Sequence, residues 1–116
     1  MATQKLKGVC IGAGYFSRFH CDAWRRIPEV ELIACCDLDE ERRRGIAAQF
    51  GIPRHYADYR AMLERERPDF VDVITPPASH LEICSDAARR GIPIICQKPL
   101  ATSYDDARQI VGAAIG

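Results

Sequence analysis

Two glycines, one aspartate, a Thr-Pro-Pro run and one lysine are the residues of this chain whose types and spacing suit chemistry. In Gly12-Ala13-Gly14-Tyr15-Phe16-Ser17 an apolar stretch breaks at two glycines and resumes with helical spacing. The first glycine permits a tight turn, and the second lets backbone N–H groups approach a pyrophosphate at the positive end of the following helix. Ser17 occupies the third position, where a small residue serves helix-to-strand packing. A strand-to-helix turn without a ligand has the same residues, so the context around the turn has to decide.

Asp37 supplies part of that context. It follows the apolar run Glu31–Cys36 and lies one strand-turn-helix-strand unit after Leu6, close to the ~30 residues of a dinucleotide-binding unit. There its carboxylate is expected to accept hydrogen bonds from the ribose hydroxyls of an adenosine and to repel a 2′-phosphate, which favours NAD over NADP. Arg42 and Arg43 stand near enough in sequence to pair with such a phosphate, and they keep NADP open.

Two later loops carry polar chemistry between apolar strands: Thr75-Pro76-Pro77-Ala78-Ser79-His80 and Gln97-Lys98-Pro99-Leu100. Alone, the first reads as a proline-stiffened turn into a capped helix, and His80 is equally a first-turn surface residue or one that faces the ligand. Lys98, held between an apolar strand and a proline, is either an exposed lysine or an ammonium that hydrogen-bonds a substrate hydroxyl and relays its proton.

Positioning these loops requires strands that end beside one another. Lys5–Ile11, Glu31–Cys36, Arg54–Tyr56, Phe70–Thr75 and Ile92–Cys96 read as strands, the third the briefest. Helices alternate with them. The first carries Phe16, Phe19, His20, Ala23 and Ile27 at helical spacing and stops at Pro28. The second is capped by Asp39, buries Ile46, Ala47 and Phe50, and closes at Gly51. The third runs from Asp58 to about Arg67, before Pro68. The fourth opens on a Ser79 to Glu82 capping box and ends at Arg90-Gly91. Ser103 caps a last helix with Ala107, Ile110, Val111 and Ala114 on its buried side. Parallel strands need crossover helices, so the fold class expected is α/β, a doubly wound parallel sheet of five strands.

Bulk properties bound the rest. The chain has 116 residues and a formal charge of zero, from 16 basic and 16 acidic residues, so it fits one domain and nothing draws it to nucleic acid or anionic lipid. Six cysteines invite a disulfide framework, but Cys10, Cys35, Cys36 and Cys96 lie in apolar runs and read as reduced core residues. His20, His55 and His80 are too scattered for zinc, and no metal is expected. No apolar run approaches the roughly 20 residues that span a bilayer, and a cytoplasmic location is expected.

Taken together, IGAGYFSRFH, CCDLDEER, TPPASH and ICQKPLA resemble, in order and along essentially the whole chain, the N-terminal Rossmann domain of the glucose-fructose oxidoreductase, inositol dehydrogenase and MocA-type family of NAD(P)-dependent oxidoreductases. The resemblance implies that residues 1–116 are a cofactor domain. Gly12, Ala13, Gly14, Tyr15 and Phe16 would hold the pyrophosphate side, Asp37 and Leu38 the adenosine ribose, and Thr75, Pro76, Pro77 and His80 the path toward the nicotinamide. Gln97, Lys98 and Pro99 would follow, with Lys98 shared by cofactor and substrate as the catalytic group. Where the family has Glu-Lys-Pro, this chain has Gln97, which alters the charge around Lys98.

The same resemblance implies a hydride transferred between NAD and a hydroxyl-bearing carbon of a sugar or polyol. The sixth strand and the second domain, which in the family forms the substrate pocket, would lie outside this chain, leaving Ile92–Cys96 as a sheet edge open to self-association. Two other readings stay open: a stand-alone NAD(H)-sensing module, and an S-adenosylmethionine-binding fragment, in which Lys98-Pro99 has no role.

Overall fold

Residues 5–96, together with Arg108 and Val111, are described by the structure, which is a computed structural model. The strands are β1 (Leu6–Ile11), β2 (Val30–Cys36), β3 (Arg54–Tyr56), β4 (Phe70–Val73) and β5 (Ile94–Cys96). Between them run α1 (Ser17–Arg25), α2 (Glu40–Phe50), α3 (Tyr59–Glu66) and α4 (His80–Arg89), the last entered through a 3-10 turn at Pro77–Ser79. All strands are parallel, in the order β3-β2-β1-β4-β5. The chain winds outward from β1 to β3, then returns to the other side of β1 as β4. That reversal opens a crevice at the carboxyl ends of β1 and β4.

Each face of the sheet has its own apolar layer. Val9, Ile11, Cys36, Val71 and Val73 pack beneath α3 and α4 against Met62, Leu63, Ile83 and Ala87. Cys10, Cys35 and Ile74 pack on the opposite face against Cys21, Ile46 and Ala47 of α1 and α2. Alternation along β1 and β2 produces this division, and it puts adjacent Cys35 and Cys36 on opposite faces. A bulge interrupts it: Gly8 pairs with Leu32 and Val9 with Ala34, so Ile33 is the extra residue and shares a core layer with Ala34.

The helix ends follow local chemistry. Asp39 accepts from the Arg42 N–H at 3.1 Å, and Gly51 closes α2 in the left-handed region with φ 66°. Asp58 caps α3 through the Arg60 N–H at 3.0 Å, and Arg67, at φ 46°, ends it before Pro68. Ser79 does not complete the expected capping box. Its hydroxyl lies 2.6 Å from Thr75 Oγ1 and 2.9 Å from the Pro76 carbonyl, held there by the 3-10 turn, and Glu82 turns away to Arg60.

The first helix departs most from expectation. Its inward side is Ser17, His20, Cys21 and Trp24, whereas Phe16 and Phe19 are each 58% exposed and Ile27 is 38% exposed. Helix and sheet approach closely beside the glycine turn, so Ser17 and Cys21 fill the interface there, Phe16 and Phe19 are left outside, and Trp24 reaches the sheet only at the far end of the helix. The last expected helix lies outside the described residues except for Arg108 and Val111, both helical; Val111 is 48% exposed rather than buried.

Gly8 has no room for a side chain, since a Cβ there would sit 2.2 Å from Cζ of Phe70. That ring cannot retreat, because Phe70 is 7% exposed and its ring lies 4.7 Å, centroid to centroid, from that of Trp24. Gly8→Ala is therefore expected to cost about 1–3 kcal/mol in urea unfolding, with part recovered in Gly8→Ala/Phe70→Leu.

At the β3 edge Arg54 grips Glu66 with Nε at 2.6 Å and Nη2 at 2.8 Å, and the Tyr56 hydroxyl donates to the same carboxylate at 2.5 Å. The Arg54 guanidinium, against some opposition from burial, holds the Glu66 carboxyl below its ordinary value of 4.5. A depressed carboxyl stabilises the fold above its unfolded pKa and ceases to do so as pH falls through the folded one. Wild type should accordingly lose more stability than Glu66→Gln on acidification below pH 4.5, measured as the shift in urea midpoint.

Candidate functional site

The crevice at the carboxyl ends of the strands is a cavity of about 770 Å³. Ile11 and Gly12 form its floor, Asp37, Leu38 and Arg42 one wall, Asp58 to Arg60 the far end, and Thr75, Pro76, Ala78, Ser79 and Glu82 the opposite wall. Its position at the sheet's reversal point is where open α/β sheets take their ligands.

Gly12 is required by backbone geometry on two counts. Its φ is +106°, and a Cβ would meet the Ile74 carbonyl carbon at 2.9 Å and the Thr75 nitrogen at 3.0 Å, so the turn after β1 runs against the strand end of β4. Gly14 differs: a Cβ there would find nothing within 4 Å. The fold does not use that space, which leaves it for a ligand approaching the backbone at the start of α1. Ser17, fully buried, donates its hydroxyl to the Gly14 carbonyl at 2.5 Å and fastens the turn to the first turn of the helix.

Asp37 does more than face the cavity. Its Oδ2 accepts the Ala13 N–H at 2.8 Å and its Oδ1 the Asp39 N–H at 2.8 Å, so one carboxylate joins the glycine turn to the start of α2. Each oxygen keeps a further lone pair for a ligand hydroxyl. Leu38, beside it, is 90% exposed over the cavity mouth.

The two arginines considered for a phosphate part company. Arg43 donates Nε to His55 Nδ1 at 3.2 Å and Nη1 to the Asp37 carbonyl at 3.4 Å, with Glu40 3.8 Å away, so it is committed to tying β2 and β3 together. Only Arg42 of this pair lines the cavity.

On the opposite wall His80 is buried, 1% exposed, and its Nε2–H donates to the Thr75 carbonyl at 2.7 Å. Of the two positions open to it, the surface one is not taken: the 3-10 turn rolls the ring inward, where it holds the Thr75 loop in shape. Thr75 and Pro76 line the cavity, and Pro77 begins the 3-10 turn. Tyr15, 63% exposed, lines a separate opening with Gly14 and Arg42, and its ring meets that of Phe16 edge to face at 5.4 Å. Gln97, Lys98 and Pro99 lie outside the described residues.

One feature behind the site had no clear signal in the sequence. Asp72, fully buried on β4, accepts from Trp24 Nε1 at 2.7 Å and bonds His20 Nδ1 at 2.8 Å through the same oxygen. An aspartate inside the apolar run FVDVIT was the one hint. The cysteines of β2 are the reduced core residues that the apolar runs indicate. Burial, with the Asp37 charge adding to it, pushes the Cys36 thiol up to about 12, and burial likewise raises Cys35 to about 12, so both are inert core groups. Among the described residues no three metal-ligating side chains converge, and no helix is long and apolar enough to cross a membrane.

Over residues 6–115 the chain matches the family described as "Oxidoreductase family, NAD-binding Rossmann fold". Among curated proteins it is 47% identical to D-apiose dehydrogenase of Paraburkholderia graminis, across 95% of this chain and 29% of that protein. It is 39% identical to D-apiose dehydrogenase of Rhizobium rhizogenes, across 96% and 32%. Among solved structures, an oxidoreductase from Agrobacterium radiobacter in complex with NAD+, L-tartaric acid and magnesium superposes with TM-score 0.93 at 38% identity, over 97% of this chain and 33% of that one. The chain thus spans about a third of the length of the relatives it matches. The glycine turn, the acid at the end of β2 and the crevice between them accordingly belong to a member of the oxidoreductase family with the NAD-binding Rossmann fold.

Proposed function

We propose that this chain is the cofactor domain of a dehydrogenase that moves a hydride between NAD and a hydroxyl-bearing carbon of a sugar or polyol, and that by itself the domain binds NAD without turning over. The observation that carries the reading is the cavity of about 770 Å³ at the strand ends, with Gly12 in its floor and the Asp37 carboxylate in its wall; a separate opening over Gly14 adjoins it at Arg42, which lines both. Relatives named as D-apiose dehydrogenases and as an inositol 2-dehydrogenase support the substrate class.

In this reading the N–H groups at the start of α1 bind the pyrophosphate, Asp37 accepts the adenosine ribose hydroxyls, and Leu38 covers the base. The floor of Ile11 and Gly12 excludes water from the inner edge of the ligand. Thr75, Pro76, Pro77 and His80 shape the path toward the strand ends of β4 and β5, the ring of His80 acting through the Thr75 carbonyl. Bound NAD supplies the nicotinamide that carries the hydride. Lys98 hydrogen-bonds the substrate hydroxyl and carries its proton, and Gln97 and Pro99 set its surroundings. A second domain, outside this chain, would complete the substrate pocket.

Calorimetric titration with NADH, NADPH and S-adenosylmethionine tests the reading. NADH is expected to bind, NADPH about tenfold more weakly, and Asp37→Ala to shrink that difference, because the substitution removes the charge that opposes a 2′-phosphate. Binding of S-adenosylmethionine alone overturns it.

The glycines separate fold from binding. Gly14→Val puts a side chain into space the fold leaves empty, so it should move Tm by no more than about 5 °C while lowering NADH affinity at least about tenfold. Gly12→Ala, whose Cβ meets the Ile74 backbone, should lower both Tm and affinity. Unchanged affinity in Gly14→Val removes the turn from the binding site.

A further inference from the structure

Directly beneath the glycine turn lies a pair of thiols that the proposed function does not use. Cys10 is near the end of β1, Cys21 is on the inward side of α1, and their sulfurs are 4.0 Å apart although the residues are eleven positions apart in sequence. Both are fully buried, in the core layer that also holds Ala13 of the turn. Cys35 and Cys36, by contrast, are adjacent on one strand and face opposite sides of the sheet, so they are not placed to join each other.

We propose that Cys10 and Cys21 are a redox-active pair that hydrogen peroxide converts into a disulfide across the glycine turn, and that this bond weakens dinucleotide binding. The effect on binding rests on the cofactor reading above; the thiol chemistry does not. In the first step the Cys21 sulfur attacks a peroxide oxygen: an S–O bond forms, the O–O bond breaks, and one water leaves. In the second, the Cys10 sulfur attacks the sulfenic sulfur: the S–S bond forms, the S–O bond breaks, and a second water leaves. Two thiols and one peroxide become one disulfide and two waters.

The positions of the two thiols assign the order of attack. The hydrogen bond shared by the two sulfurs lowers the Cys21 thiol while it raises Cys10, with the Asp72 carboxylate opposing the thiolate at either position. Cys21, carried on the helix that opens, meets the peroxide first, and Cys10, held in the central strand, is the resolving thiol. Access comes through α1, whose first turn has no side-chain cap: Phe16 stands at the cap position and the Ser17 hydroxyl is spent on Gly14. A helix end without a cap opens more readily than the rest of the fold.

The mechanical consequence follows from which partner can move. A disulfide holds its sulfurs about 2.05 Å apart, so they must close by about 2 Å. Cys10 sits in a central strand paired on both sides, with Cys35 of β2 and Asp72 of β4. α1 must make the movement. It takes Ser17 with it, and through Ser17 the Gly14 carbonyl, so the N–H groups at the start of the helix leave the positions in which they would meet a phosphate.

The test exposes the chain to hydrogen peroxide, quenches it, alkylates free thiols in denaturant and maps the cysteine peptides; NADH affinity is measured before oxidation, after it, and after dithiothreitol. A Cys10–Cys21 disulfide is expected, with NADH binding weakened at least about fivefold and restored on reduction. Cys21→Ala, or Cys10→Ala should the first not fold, is expected to abolish the peroxide effect while keeping the reduced affinity. Recovery of both cysteines alkylated, or a disulfide joining other cysteines, overturns the pair. A Cys10–Cys21 disulfide with unchanged NADH affinity overturns the coupling to the turn. If the reduced chain binds no NADH, the effect on binding falls together with the cofactor reading, and the peptide map still decides the thiol chemistry.

Discussion

The carboxylate of Asp37 accepts the Ala13 N–H with one oxygen and the Asp39 N–H with the other, and the shape of the ligand crevice depends on that pair of bonds. Two adjacent parallel strands end in two independent loops, and nothing in the sheet itself fixes how those loops face one another. A charged acceptor bonded to both makes them one body. Charge-assisted bonds are roughly twice as strong as neutral ones, so the link is the firmest contact available to an otherwise glycine-rich turn. The acid that lines the crevice is also the acid that fixes its shape.

Beneath this link the turn is held by contacts that tolerate only particular residues. Gly12 passes within 3.0 Å of the Thr75 nitrogen for a hypothetical Cβ, which ties the β1 loop to β4, and Ser17 closes the turn from the helix side through the Gly14 carbonyl. Ser17 in the third place is thus an exchange of one kind of fastening for another. A glycine would permit close packing alone, whereas serine, with a fully buried side chain, adds a hydrogen bond of 2.5 Å across the turn.

How far the sequence is legible depends on whether local or tertiary forces decide a feature. The strands, to within one or two residues at their ends, the Asp39 cap and the Gly51 stop are local, and they stand where residue type and spacing put them. The Ser79 cap and the inward face of α1 are not local. Ser79 is diverted by a 3-10 turn that packs His80 inward, and α1 buries Ser17 and Cys21 because the sheet comes too close for Phe16 and Phe19. Within the site, glycines and Asp37 are legible because backbone geometry and charge restrict them to a few residue types. Asp72 is not, because only the fold brings His20 and Trp24 to the same oxygen.

That buried carboxylate bears on the turn as well. Asp72 holds α1 from the β4 side through His20 and Trp24, the two residues one helical turn apart on its inward face, while Cys21 beside them meets Cys10 on β1. The helix is therefore anchored by polar contacts along its length, where most helices of a doubly wound sheet rest on aliphatic packing. Aliphatic packing adjusts by small slips, but hydrogen bonds to one oxygen fix both depth and rotation. While Cys10 and Cys21 are reduced, the helix whose first turn would meet the phosphates is thus held by directional bonds that align its N–H groups, even though Phe16 and Phe19 face away from the sheet.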